Sequence, residues 1–294
     1  MTLDDFTLFL RDPVKRKPVE LGKDGAVVSI SGTRYFRDGN FIDFIGGDVT
    51  ESSQNHYEKY PFDVEDMDDP KARLNAIDKD LRELMPSIAH DTIIIDSGCG
   101  PGRITTFLHE MGYKVAAIDL SRRALQELQA RIDVPSLRAN NLNLPLVSGF
   151  ADLVISTGVV HHTPDPQQAI AENCRILKPS GKLYLCLFSR DGYYRFMYSY
   201  IGGFMRGLRR IGPPGRLIVN GLLRPLYVMM RRRITSNEAV PKEKLKALFE
   251  NYFMKDTITL MRKDEVDAIL ATANMKVLKY NVRASMHCYI AEKQ

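Results

Sequence analysis

Asp96, Gly98, Gly100 and Gly102 stand at every second position, and Asp119 follows about twenty residues after the glycines. Residue types in that order bind a ligand. Glycines let the main chain come close where a Cβ would collide. An acid ending the next strand is placed to accept hydrogen bonds from both hydroxyls of a ribose. The candidates for proton chemistry come later, in His161 and His162. Either could take a proton from a hydroxyl or orient a substrate.

The elements that must hold these residues can be read from their neighbours. The run Ile93-Ile94-Ile95 is β-branched and ends in Asp96, which predicts a buried parallel strand. A tight turn follows, then an apolar helical pattern over residues 104–111. A helix start there offers unpaired N–H groups to a ligand. Residues 114–118 predict a second strand that ends in Asp119.

The glycine spacing distinguishes two kinds of cofactor. A dinucleotide fingerprint is G-x-G-x-x-G, whereas this chain has G-x-G-x-G with Arg103 next. The string D-x-G-x-G-x-G, with an acid ending the following strand, resembles the class I S-adenosylmethionine (SAM) methyltransferases. Four later segments agree with the resemblance in order. Asn140 to Pro145 resembles the family's D-x-x-x-L-P adenine segment, with Asn140 where Asp is usual. Residues 150–156 resemble the fourth strand. Thr157-Gly158-Val159-Val160-His161-His162 resembles the V-L-H-H signature at that strand's end. Residues 175–183 resemble R-x-L-K-P-G-G, a basic helix end, a turn and a strand from Lys182. The resemblance is specific over about residues 90–190 and fainter over 257–292, where a helix and a strand pair are expected.

The resemblance implies an α/β fold: a doubly wound, seven-stranded Rossmann-like sheet, with SAM as cofactor and S-adenosylhomocysteine as product. It assigns Asp96, Gly98, Gly100 and Gly102 to the amino-acid portion and turn. Asp119 takes the ribose, Leu120 flanks the adenine, and Asn140 and Leu142 meet its edge. Thr157 and Gly158 lie beneath the cofactor.

Composition narrows the rest. With 294 residues, the chain is one large domain or one with extensions. Its four cysteines (99, 174, 186 and 288) are widely spaced, which argues against a metal site or a disulfide framework and suits a reducing cytoplasm. No signal peptide and no membrane span is expected. Charge is uneven: residues 190–237 hold ten arginines against one acid, a net +9, whereas the whole chain carries +5.

The expected organisation has three parts. Residues 1–45 form a small β module, with strands near 26–30, 34–36 and 41–45. Its outline resembles the zinc-ribbon-type domain that precedes some methyltransferases, but no cysteine stands at its ligand positions, so no metal is expected. Residues 46–89 form a linker and an entry helix over 69–84. Tyr57 and Tyr60 in the linker resemble a tyrosine-bearing segment over the SAM site. Residues 90–294 form the SAM domain, with a helical lid inserted at 190–256 after the fifth strand.

Two amphipathic helices separated by Gly212-Pro213-Pro214-Gly215 are expected in that lid, with a kink at Pro225. Tyr193 and Tyr194 are substrate-contact candidates. Three roles compete for residues 193–234: a substrate lid, a peripheral membrane contact, and a homo-oligomer interface or a covered hairpin with a solvated basic face. The first functional reading is a methyltransferase for a small-molecule or lipid-like acceptor at O, N or C, cytoplasmic and with possible membrane association. The second is an RNA methyltransferase, disfavoured because the arginines interleave with apolar helix faces. The third is SAM chemistry other than methylation, such as cyclisation, or a noncatalytic SAM-binding partner.

Overall fold

The computed structural model of the protein describes residues 2–22, 25–45, 77–235, 242–255, 258–283 and 285–294. The strands are β1 (Val19–Leu21), β2 (Val27–Ser29), β3 (Arg34–Asp38), β4 (Phe41–Asp43), β5 (Ile93–Ser97) and β6 (Lys114–Asp119). They continue as β7 (Ser136–Arg138), β8 (Ala151–Thr157), β9 (Leu177–Phe188), β10 (Met275–Arg283) and β11 (Met286–Lys293). All eleven lie in one sheet in the order β1-β2-β3-β4-β7-β6-β5-β8-β9-β11-β10.

The seven strands β5 to β11 follow the expected doubly wound pattern. Strands β5 to β9 run parallel, and β11 is antiparallel to both of its neighbours. The chain goes from β5 outward to β6 and β7, then returns to β8 on the other side of β5. The carboxyl ends of β5 and β8 therefore flank the switch point where such sheets bind ligands. Ile94 and Ile95 face opposite layers of the core, and both are fully buried. Helices Arg103–Glu110, Arg122–Gln129 and Pro166–Arg175 connect the strands. Ser121 and Asp165 cap the second and third through their side chains.

The strand count departs from the expected seven because residues 19–43 continue the same sheet. β4 pairs in parallel with β7, and β3, β2 and β1 follow it outward. A three-residue β7 at the rim would otherwise leave its hydrogen-bonding groups unpaired. The N-terminal helix Leu3–Thr7 buries Leu3 and Phe6 in the main core, and Phe9 stacks on Phe150 at 4.8 Å.

Two further differences are local. β9 begins at Leu177 instead of Lys182. Its register jumps from Ala151↔Leu177 to Leu153↔Lys182, so the Pro179-Ser180-Gly181 turn is absorbed as a bulge with Ser180 at φ 63. Helix Lys79–Leu84 covers the end of the expected entry helix; residues 69–76, and Tyr57 and Tyr60, lie outside the described residues. Asp80 on this helix meets Lys279 and Arg283 of β10, which also carries a bulge between Val277 and Lys279.

The insertion is helical over 193–210, 213–235 and 242–254. A π-helical turn at Val219–Leu223 ends two residues before Pro225. Pro225 has no N–H to continue the ladder and its ring crowds the preceding turn, which accounts for the irregularity. A Cβ on Gly215 would lie 1.7 Å from the Leu208 carbonyl oxygen, so glycine is required where the two helices touch. Among the described residues no helix is long and apolar enough to cross a membrane.

Candidate active site

The loop after β5 is stitched to the end of β6. Gly98 N–H and Cys99 N–H both donate to the Ile118 carbonyl, at 2.7 and 3.0 Å. Gly100 N–H donates to Asp119 Oδ2 and Ser121 N–H donates to Asp119 Oδ1, each at 2.8 Å. These bonds aim the carboxylate and leave lone pairs on both oxygens for a diol. Burial raises the Asp119 pKa. Asp96 is buried at the end of β5, accepts Thr105 Oγ1–H at 2.6 Å, and has its pKa pushed up to about 6, chiefly by burial.

The glycines do different jobs. Gly98, at φ 85, has no room for a Cβ because Val159 Cγ2 would be 2.3 Å away. Gly102 likewise lies against Leu128 of the neighbouring helix. A Cβ on Gly100 or on Gly158 would instead project into open space. These two follow the carboxyl ends of β5 and β8. Ser97 Oγ and Thr157 Oγ1, at the ends of β5 and β8, are buried without a hydrogen-bond partner among the described residues. Buried hydroxyls in that state need a ligand or water to satisfy them. The residues therefore fit a cofactor with a ribose and polar substituents.

Leu120, Asn140 and Leu142 are half-buried beyond Asp119. The β6–β7 pairing brings them there, with Ala139 N–H donating to the Asp119 carbonyl at 3.0 Å. Asn140 Oδ1 accepts the Leu142 N–H at 2.9 Å and shapes this turn, which leaves a lone pair and the amide group for other partners. All ten predicted cofactor contacts thus lie on the rim formed by β5, β6, β7 and β8.

At the end of β8, His161 is fully buried. Its Nδ1 accepts the Phe188 N–H at 3.2 Å, which places the proton of the neutral ring on Nε2. Nε2 has no hydrogen-bond partner among the described residues. Burial, aided by the charge of Lys255, lowers the His161 pKa to about 3. His161 is thus a donor and a poor base. His162 is also buried, and its ring lies 4.1 Å from that of His161.

An aromatic group continues outward from these rings. Phe188 lies 4.2 Å from His161 and stacks on Tyr194 at 3.9 Å. Tyr194 stacks in turn with Tyr198, and its hydroxyl donates to the Tyr252 carbonyl at 3.2 Å. Tyr193 points away and is 71% exposed, so the two candidate tyrosines part company. Sequence reasoning missed Phe188, Tyr198 and Lys255. Lys255 is buried, and burial lowers its pKa to about 7. Nothing around it in the chain marks it. Tyr198 Oη–H donates to the Lys255 carbonyl and accepts the Ile258 N–H, and Thr259 N–H donates to the His161 carbonyl.

Residues 95–185 match the family described as a methyltransferase domain. An uncharacterized methyltransferase of Mycobacterium tuberculosis is 33% identical over 123 residues, covering 40% of this chain and 49% of that protein. A malonyl-[acyl-carrier protein] O-methyltransferase of Enterobacter lignolyticus is 33% identical over 99 residues, covering 33% of this chain and 39% of that one. The chain spans about half the length, or less, of these curated relatives. A solved magnesium protoporphyrin IX methyltransferase of Synechocystis, with bound SAH, aligns at TM-score 0.46 and 12% identity, covering 84% of this chain and 90% of that one. The matched segment is similar to methyltransferase domains, and its strands form the doubly wound part of the sheet.

Proposed function

We propose that the chain transfers the SAM methyl group to a small-molecule or lipid-like acceptor entering between the end of β8 and the helical insertion. The observation that carries this reading is the aromatic group Phe188–Tyr194–Tyr198. It joins the insertion to His161 beside the cofactor rim. Such a wall suits an apolar or planar acceptor and excludes water. Two relatives whose names give small acceptors or their pathways point the same way, the malonyl-[acyl-carrier protein] O-methyltransferase and a ubiquinone biosynthesis O-methyltransferase of Coxiella burnetii.

SAM supplies an activated methyl whose leaving group is a neutral thioether. Alignment therefore contributes much of the rate. The glycine turn and Asp119 hold the cofactor, and Ser97 and Thr157 supply hydroxyls beneath it. His161 Nε2–H orients the acceptor by donating to it. If the acceptor atom carries a proton, Lys255 suits its removal better than His161, since its pKa lies near neutrality. Where the acceptor carries a proton, the lysine amine would take it as the methyl is transferred.

We read the N-terminal strands as a ribbon whose metal ligands have been replaced. Asp12 supports this. It is buried where the ribbon's first ligand would stand, and its Oδ1 accepts the Val14 and Lys15 N–H groups at 2.9 and 2.8 Å.

The test is methyl-labelled SAM with the purified protein and a fractionated extract of its host. Label in organic-soluble molecules supports the proposal. Label in RNA, or SAM consumed without methylation, overturns it.

A further inference from the structure

The insertion presents an apolar outer surface that nothing among the described residues covers. Eleven large apolar or aromatic side chains between residues 193 and 230 are 42–74% exposed, out of twenty such residues among those described. Phe196, Tyr200 and Phe204 form one stripe at helical spacing, and Ile218, Leu222 and Leu226 form another on the second helix. The opposite faces of both helices are spoken for: Met197, Ile201, Met205, Leu223 and Tyr227 pack on Val219, Phe249 and Phe253. A surface of this kind marks an interaction site.

Charge identifies the occupant. Residues 192–235 contain nine arginines and no acid. Four of them, Arg206, Arg209, Arg210 and Arg216, line a cavity of about 510 Å³ with Asn220 and Met254. Glu250 is a buried acid beneath them, and it is already paired with Arg209 at 3.0 Å and Arg224 at 3.4 Å. Arg206 is fixed by the Phe253 carbonyl at 2.7 Å and lies over the Tyr198 ring. The cavity is therefore a cationic pocket with planar donors, on the side of the helices that faces Glu250 and Phe253. Guanidinium groups bind phosphate, and apolar side chains on the same helices suit the acyl boundary.

We propose that the hairpin 193–230 docks on an anionic phospholipid surface. The exposed Arg210 and Arg216 take lipid phosphates, and Phe196, Tyr200, Phe204, Leu217 and Leu222 enter the interfacial layer. Docking does not depend on the methyl-transfer reading. The same hairpin carries Tyr194 and Tyr198 on its inner side, so a docked molecule holds its aromatic site at the membrane interface.

The test is co-sedimentation of the full chain with vesicles of phosphatidylcholine alone or with phosphatidylglycerol. Binding to the anionic vesicles only, weakened by salt, is expected. F204D with L222D, or R210E with R216E, is expected to weaken it at least tenfold while leaving the melting temperature and SAM binding unchanged. Several outcomes would overturn the proposal: equal binding to neutral vesicles, no binding, or binding indifferent to both double variants. So would phosphate binding without vesicle binding, RNA binding that survives F204D/L222D, or a dimer in solution that those substitutions dissolve.

Discussion

Asp43 and Arg138 are register partners across the parallel β4–β7 pair and also an ion pair at 2.8 Å. Arg122 meets the same carboxylate oxygen, and Arg138 Nε donates to the Leu120 carbonyl at 3.1 Å. Leu120 follows Asp119, the acid we propose holds the ribose. The N-terminal strands therefore brace the cofactor rim from its outer side.

Removing this brace is costly. D43L leaves Arg138 buried and without its acid, and breaking a buried pair in this way costs about 3–5 kcal/mol. Denaturant unfolding would measure the loss, and calorimetry should show weaker SAM binding in parallel. A loss below about 1 kcal/mol, the value of an exposed pair, would contradict the bracing role.

Gly98 and Gly100 should respond differently to alanine. G98A puts a Cβ into Val159 and should lower the melting temperature. G100A meets no protein atom, so its cost in stability is only the strain of a positive φ, about 1 kcal/mol. It should nonetheless bind SAM at least tenfold more weakly, because its Cβ would enter the space we assign to the cofactor. Equal SAM affinity in G100A and the parent protein would place the cofactor elsewhere.

D119N keeps the shape of the side chain but removes its charge and turns one acceptor into a donor. Hydrogen bonds to a charged group contribute about 1.5–3 kcal/mol, so SAM affinity should fall roughly ten- to a hundredfold. Titration calorimetry checks this, and an unchanged affinity would remove Asp119 from the site.

Lys255 and His161 both have folded-state pKa values below their unfolded ones, about 7 against 10.5 and about 3 against 6.5. In those windows the unfolded chain binds more protons, so stability rises with pH. Each group contributes a slope of up to about 1.4 kcal/mol per pH unit. K255M should flatten the rise between pH 7 and pH 10 and stabilise the protein at neutrality. If Lys255 takes the acceptor's proton, the variant also loses most transfer to a hydroxyl acceptor while keeping SAM affinity. An unaltered pH–stability curve would mean that Lys255 is solvated.

The cofactor rim was legible because its residues are local in sequence. A β-branched run, three glycines and the next acid carry their conformations with them, and the expected strands appear where the pattern put them. The acceptor side was legible only in part: His161 and Tyr194 were candidates from the sequence, whereas Phe188, Tyr198 and Lys255 were not. His161, Phe188, Tyr194 and Lys255 come from four segments, and only tertiary packing turns Lys255 into a neutral-range group. The cysteines show the same limit. Cys186 and Cys288 are far apart in the chain, yet their Sγ atoms lie 2.8 Å apart across β9 and β11. The extra strands were individually visible as apolar runs, but nothing local says that β4 will pair with β7. Of the insertion, the helices and their glycine–proline break could be read, whereas which apolar residues face inward could not.

The sheet has two rims, and each discourages another chain from adding a strand. β1 is only three residues long. On the other rim, β10 combines exposed Val277, Leu278 and Val282, a sequence prone to cross-β growth, with a bulge and with Lys279 and Arg283 held by Asp80. A kinked, charge-tethered strand is a poor template. Weakening the Asp80 contacts would therefore expose the protein to aggregation through this rim before it cost the cofactor site anything.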